Sequence, residues 1–596
     1  MADRYWVGGA GSWNSTTKWS TTSGGASGAS VPTSVDNVIF DAASGGAPFT
    51  ATVTDGATCA NLTLTPNATV GVTILDVAGS FVIAGTFSTS GTAGNKRHWI
   101  RSSTYGIMRD VQIATIGTVT DVDFRDVRIT GTGGTLTGTR IGDLRGNSNI
   151  TFSTAKTVYW VTAAGGNWSG NNWAATSGGA ASTDNFPLAQ DTATIQNTGL
   201  NASTTVTMDN TIVHTGAVDM STRTNAMTLS LATGYTIYGN WTNGSGTTLS
   251  GAQTLTFSGR NTQTITSAGK TFSGGPTIDS YGGSVELADA LNIGSNILTV
   301  TNGTFDTKSY NVTAGAVSSS NSNIRTITLG SSTVTLSANG SVAFPTSTNL
   351  TFNAGTSQIT ITGTTPTMGG GGMTFYNVTA SGISAGGTLT LNQNNVFNNL
   401  TITAPSTTGL GGLVLGGNQT INGTLNVAGA TPIRRNFVRS DTAGTTRTLT
   451  VGTLSATDCD FRDITIAGAA AGSSPTRAGD CGGNSGITFP AAKTVYWNLS
   501  GTQNWSATAW CSSSGGTPDI NNFPLAQDTA VFDNTGAAGV ISFQSWNIGT
   551  FDASALTTAA TFTTGSTIPL VYGNWKWGTG ATSTSATGII TFAGRG

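Results

Sequence analysis

Short runs in which apolar and polar residues alternate fill most of this chain. After Thr50 they read TATVTD, CANLTLT, ATVGVTILDVAG and SFVIAGTFST, in which Val53, Leu62, Leu64, Val70, Val72 and Ile74 fit a period of two. That period is the signature of a strand with one buried side. The runs are bounded by Gly, Asn or Asp, which supply tight corners, and leave little room for a helix between them. The same texture continues through NILTVTNGTFDTKSYNVTAGAV at 296–317, RTITLGSSTVTLSANGSVAF at 325–344, NLTFNAGTSQITITG at 349–363, TLTLNQNNVFNNLTITAPS at 388–406 and GLVLGGNQTINGTLNVAG at 412–429. A coil of this kind buries its apolar face only against its neighbours, so a solenoid must sustain the pattern. The expected fold is all-β, a right-handed parallel β-helix whose coils vary in size.

Superimposed on this texture is a longer repeat. Residues 156–195 read KTVYWVTAAGGNWSGNNWAATSGGAASTDNFPLAQDTATI, and 493–532 read KTVYWNLSGTQNWSATAWCSSSGGTPDINNFPLAQDTAVF. A looser copy, RYWVGGAGSWNSTTKWSTTSGGASGASVPTSVDNVIF, opens the chain at 4–40. Each copy carries three tryptophans, a Gly/Ser/Thr loop, a proline and an aspartate ahead of a β-like run. A second module also recurs: KRHWIRSSTYG, DVDFRDVRITG and GTRIGDLRGNSNITF at 96–152 match RRNFVRSDTAG, DCDFRDITIAG and PTRAGDCGGNSGITF at 434–489. Within it Val122 and Phe124 share one face and Val127 and Ile129 another, so the period slips at Arg125–Asp126. Cys459, Phe461, Ile464 and Ile466 slip likewise at Arg462–Asp463. A slip turns side chains over unless the backbone bends, which predicts a structural corner at Arg125, Asp126, Arg462 and Asp463.

The organisation expected is a cassette at 1–49, solenoid at 50–95, closing module at 96–155, second cassette at 156–199, main solenoid at 200–433, second closing module at 434–492, third cassette at 493–540 and the start of a further solenoid at 541–596. YTIYGNWTNGSGTTLSGAQTLTFSGR at 235–260 recurs as PLVYGNWKWGTGATSTSATGIITFAGR at 569–595, after which a further coil would be expected.

Composition narrows the function. Of 596 residues only 9% are charged, the formal net charge is −2, Glu286 is the single glutamate and 82 residues are glycine, a balance that disfavours surface helices and favours strands and turns. A hydrophobic content of 37% in regular alternation argues against disorder. No basic cluster offers a nucleic-acid interface. No apolar stretch reaches the roughly 20 residues of a membrane span, and MADRYWVGG does not resemble a secretory signal.

Cys459, Cys481 and Cys511 stand where the earlier copy has Val122, Leu144 and Ala174. They are therefore read, with Cys59, as small core residues; a Cys459–Cys481 disulfide is the alternative. His98 and His214 lack a nucleophile motif and are read as packing or surface residues. Asp121, Asp123 and Asp126, with Asp458, Asp460 and Asp463, are the carboxylates that could serve glycoside cleavage. Their duplication beside Arg125 and Arg462 favours a structural corner with outward salt bridges. No catalytic residue, cofactor or metal ligand is assigned. The tryptophans are read chiefly as interior packing, with Trp13, Trp19, Trp168, Trp173, Trp505 and Trp510 kept as candidates for stacking on sugar rings. The variable Gly/Ser loop after each third tryptophan is the better candidate for a presented surface.

The opening RYWVGGAGSWNSTTKWS…VPTSVDNVIFD and the run NGTFDTKSYNVTAGAVSSSNSNIRTITLGSSTVTLS resemble large virion proteins of tailed bacteriophages, tail-fibre-like β-solenoids, and similar stretches occur in bacterial surface adhesins. The resemblance implies a fibrous protein on the outside of a particle, at the virion surface, a homo-oligomer with a trimer favoured. Its partners would be other virion proteins and a host-surface glycan, with no nucleic acid and no membrane span. Two classes follow: a non-enzymatic fibre or spike for host adhesion, and a receptor-degrading tailspike that cleaves polysaccharide. A bacterial adhesin is the third. Paired carboxylates in a groove would favour the enzyme; carboxylates locked to arginine favour the fibre.

Overall fold

The structure, a computed structural model, describes residues 1–46, 48–65, 73–91, 95–584 and 588–594. Among these residues the regular elements are strands, apart from four single-turn 3-10 helices at Thr16–Lys18, Thr183–Asn185, Gly468–Ala470 and Ile520–Asn522. Pairing is overwhelmingly parallel, between strands of successive coils, as the sustained alternation requires. Antiparallel pairs open each cassette, where Trp6 faces Trp19, Trp160 faces Trp173 and Trp497 faces Trp510. The chain divides into two compact units, Met1–Val312 with Asn323–Thr328, and Thr313–Ser322 with Leu329–Gly596.

In the first unit, one wall of the opening coil stack is a six-stranded sheet ordered Gly142–Asp143, Val122–Arg125, His98–Ser102, Thr73–Val77, Phe49–Val53, Gly11–Ser12. Leu75, Ile100 and Phe124 occupy one register line across it, all buried. Facing strands include Asn37–Phe40, Leu62–Leu64, Phe81–Thr89, Arg109–Val119 and Val127–Thr130. A second stack begins at Thr157–Trp160 and continues through Thr192–Thr194 and Ala217–Asp219. In the second unit Leu389, Leu413, Val438 and Phe461 form one buried ladder and Phe375, Phe397, Ile421 and Val451 another. A further stack starts at Thr494–Trp497 and pairs onward with Thr529–Val531, Thr550–Asp552 and Trp575–Lys576. Register shifts between several coils, as at Phe397/Leu400 and Ile421/Thr424, account for the drifting repeat length.

Polar corners stack as well. Asn37 accepts from Asn61 at 2.8 Å, and the Asn61 carbonyl oxygen accepts from the Thr86 backbone N–H at 2.7 Å. Asn377 and Asn399 repeat the device at 2.9 Å. Such ladders satisfy the backbone where each coil turns.

The period slip at the DFRD motif is a corner. Val122–Arg125 and Val127–Thr130 belong to different sheets, and Asp126 between them has φ 57°; Asp463 in the second copy has φ 58°. The left-handed conformation is uncommon for non-glycine residues, and aspartate is among those that tolerate it. Val53, Leu62 and Leu64 point inward as expected. Ile74 does not: Thr73–Val77 buries Thr73, Leu75 and Val77 and leaves Ile74 half-buried, because Leu75 is the residue in line with buried Ile100 of the next coil. Val70 and Val72 lie outside the described residues.

Candidate functional site

The three cassettes build one aromatic cluster three times. The third tryptophan sits between the other two at near-perpendicular angles. Trp19 lies 5.1 Å from Trp6 and 4.9 Å from Trp13, Trp173 lies 5.2 Å from Trp160 and 4.7 Å from Trp168, and Trp510 lies 5.1 Å from Trp497 and 4.8 Å from Trp505. Edge-to-face packing suits the ring quadrupoles. The third indole N–H donates to the second tryptophan's carbonyl at 2.7, 2.9 and 3.0 Å in the three copies. Trp13, Trp19, Trp168, Trp173, Trp505 and Trp510 are all at most 1% exposed, so they are wall-filling side chains with no face open to a sugar ring. Among the described tryptophans Trp577 is exposed, at 43%, where the earlier copy has Asn243.

The middle indole N–H, of Trp13, Trp168 and Trp505, is buried without a hydrogen-bond acceptor in every copy. Trp168→Phe removes that unsatisfied donor and is expected to cost only the packing it gives up, whereas Trp173→Phe gives up similar packing and a made bond and is expected to cost about 1–2 kcal/mol more. Thermal unfolding of the two variants side by side checks this; equal losses would contradict it.

The carboxylates form a buried ion-pair network, in contrast to the outward salt bridges expected. Asp121, Asp123 and Asp126 are at most 1% exposed, and their main cations are not Arg125. Arg97 grips Asp123 through Nε at 2.7 Å and Nη2 at 2.6 Å, and Nη2 also donates to the Arg140 carbonyl at 2.7 Å. Arg140 holds both oxygens of Asp121, at 2.7 and 2.8 Å. Asp126 takes the Gly106 N–H at 3.0 Å and is hydrogen-bonded by Arg260. Arg125 approaches Asp126 only at 3.7 Å and otherwise lies over the Trp99 and Tyr105 rings. The second copy repeats the plan. Arg435 holds Asp460 at 2.5 and 3.1 Å and donates to the Arg477 carbonyl at 2.8 Å, while Arg477 holds Asp458 at 2.6 and 2.7 Å. Arg462 again lies 3.6 Å from Asp463. Burial by itself would raise the Asp123 carboxyl, but Arg97 and then His214 hold it well below the usual carboxylate range.

These networks are joints. His214, from the second stack, places Nε2 3.0 Å from the second oxygen of Asp123; Asn547, from the third, donates to Asp460 at 2.8 Å. Gln190 of the second cassette accepts from the Asp143 N–H at 3.0 Å and donates to the Ile141 carbonyl at 2.9 Å, and Gln527 does the same to Asp480 and Ala478 at 2.9 and 3.1 Å. Asn147 and Asn484 pin the corner by donating to Asp143 and Asp480 and accepting from the Val127 and Ile464 N–H groups. Each closing module is thereby tied to the cassette and coil that follow it. The signal for His214 and Asn547 was in the sequence: HTGAVD at 214–219 matches NIGTFD at 547–552. The glycine of that motif is required, since a Cβ on Gly216 or Gly549 would meet the carbonyl of Asp191 or Asp528 at 2.0 or 2.1 Å.

All four cysteines are free and buried, as expected of core residues. Both histidines are buried too; His98 Nε2 lies 3.2 Å from the Ser90 carbonyl. The loops after the third tryptophans, 21–30, 175–181 and 512–519, are largely exposed. Among the described residues, no group of three or more His, Cys, Asp or Glu side chains is placed to hold a metal ion, and no helix is long and apolar enough to cross a membrane.

Fold and site together define a largely parallel β-solenoid protein with recurring tryptophan clusters and Arg–Asp joints. Comparison with protein-family models, curated proteins and solved structures finds no match to the chain.

Proposed function

We propose that the chain is a non-enzymatic structural protein of a bacteriophage particle, a tail fibre or spike whose solenoids present the Gly/Ser loops for host-surface adhesion. The observation that carries this reading is the commitment of the buried aspartates. In both joints these aspartates are held by arginine, imidazole, amide and backbone partners, which serves rigidity and does not leave them as a pair of free acids for glycoside cleavage. A rigid frame with variable exposed loops is a common way to build a binding surface. The phage assignment itself rests on the sequence resemblance, as does the homotrimer. Cryo-EM of the native particle tests the phage assignment, the homotrimer and the pairing of the joints. Copies mounted on the tail, with every Asp–Arg joint paired, are the expected result. A groove between protomers lined by unpaired aspartates would replace this reading with a polysaccharide-cleaving tailspike.

A further inference from the structure

The two joints differ in one place that neither packing nor the corner motif explains. Arg101 and Arg439 occupy matching positions, as do Arg125 and Arg462, and each pair is in register on neighbouring strands. In the first copy the next strand places Asp76 in register with Arg101, and both carboxylate oxygens are hydrogen-bonded by the guanidinium. Trp99 lies 4.3 Å from the Arg101 guanidinium, and Tyr105 lies 5.0 Å from that of Arg125. In the second copy Val414 stands in register with Arg439, Phe437 replaces Trp99 and Ala443 replaces Tyr105. The acid is gone and two large rings have shrunk, yet both arginines are kept.

Both arginines open onto a cavity of about 540 Å³, within the second unit. Arg439, Arg462 and Phe437 line one side; Gln544, Ser545 and Asn547 are among the other lining residues, and none of the lining residues is acidic. The two guanidiniums lie 5.7 and 5.6 Å from the Phe437 ring. Among the described residues no carboxylate comes within ion-pair distance of Arg439, and the nearest acid to Arg462 is Asp463 at 3.6 Å. Burial and then the neighbouring Arg462 charge both push Arg439 below its ordinary value.

We infer that this cavity is an oxyanion-binding site, in which Arg439 and Arg462 take a carboxylate or phosphate group of a small polar ligand. Planar guanidiniums with several fixed donors suit both groups. The volume falls in the usual range for small-molecule sites, with room for a monosaccharide beyond the anion. Gln544 and Ser545 line the cavity with an amide and a hydroxyl, groups of the kind that recognise sugar hydroxyls, while Asn547 is held by Asp460. The inference stands on the cavity and not on the adhesion reading, which can fail without it.

Calorimetric titration of the full chain at low ionic strength, with glucuronate, inorganic phosphate and neutral glucose, provides the test. Glucuronate or phosphate is expected to bind once per chain, at least about tenfold more tightly than glucose. Glucuronate alone marks an acidic saccharide as the source, phosphate alone a phosphate ester, and either result supports the site. Val414→Asp restores the acid of the first copy and is expected to weaken binding at least about tenfold while the melting temperature holds. Arg439→Met is expected to weaken it as much and decides the question if Val414→Asp does not fold. Binding of neither anion, glucose binding as tightly, or affinity unchanged in the variants would each overturn the inference.

Discussion

Arg97→Met is expected to loosen the first joint by about 3–5 kcal/mol, the usual consequence of removing one partner from a buried ion pair. The side chain lost supplies two hydrogen bonds to Asp123 and one to the Arg140 carbonyl. Asp123 would remain buried and charged with only His214 beside it. Because a chain of several stacks does not unfold in one step, the readout is local. Hydrogen exchange in His98–Ser102 and Val122–Arg125 of the full chain should accelerate roughly a hundredfold or more. Arg435→Met should do the same to Arg434–Ser440 and Cys459–Arg462. The double variant Arg97→Met/Asp123→Leu should recover most of the protection, since no unpaired charge is left buried. Unchanged exchange in Arg97→Met would show that the network is not what holds the coil.

Acid should weaken the first joint before the second. Burial lowers His98 to about 4, against an unfolded value of about 6.5. The unfolded chain therefore takes up a proton at higher pH than the folded one. Stability is fully present above about pH 6.5 and is lost as pH falls towards 4, by up to about 3 kcal/mol. The Ser90 carbonyl and the charges of Arg97, Asp121 and Asp123 surround the ring. Asp123, held low by Arg97 and His214, adds its own loss only below the ordinary carboxylate range. Asp191 and Asp528, both raised by burial, act in the opposite sense and occur at both joints. The second copy has Asn436 where the first has His98, buried and donating to the Ile402, Val427 and Ala428 carbonyls. His98→Asn should thus keep the fold and remove the loss. Hydrogen exchange of His98–Ser102, corrected for intrinsic rate and compared at pH 7 and pH 4.5, decides it. Wild-type protection that does not fall, or a loss that persists in His98→Asn, would sink the account.

Much of this was legible in the chain. The period-two runs specified parallel coils because each strand's inward face needs an inward neighbour. The replacement of Val122 by Cys459 between copies marked a core position, and the slip at Arg125–Asp126 marked a corner, since both are properties of adjacent residues. The three-tryptophan cassette was equally plain, and its burial followed the packing reading.

The tertiary structure decided what depends on other coils. Alternation has two phases, and only stacking beside Ile100 selected Leu75 over Ile74 as the inward residue. The adjacent Arg125 was the obvious partner for the DFRD aspartates. Arg97, a coil away in sequence, holds Asp123 because parallel stacking puts their strands side by side. His214 and Asn547 arrive from a different stack altogether. Local periodicity is written residue by residue, so sequence determined the coil. A buried charge must find its counter-charge through space, at no fixed spacing along the chain, so the joints and the acid-free cavity beside Arg439 were settled by how the coils pack.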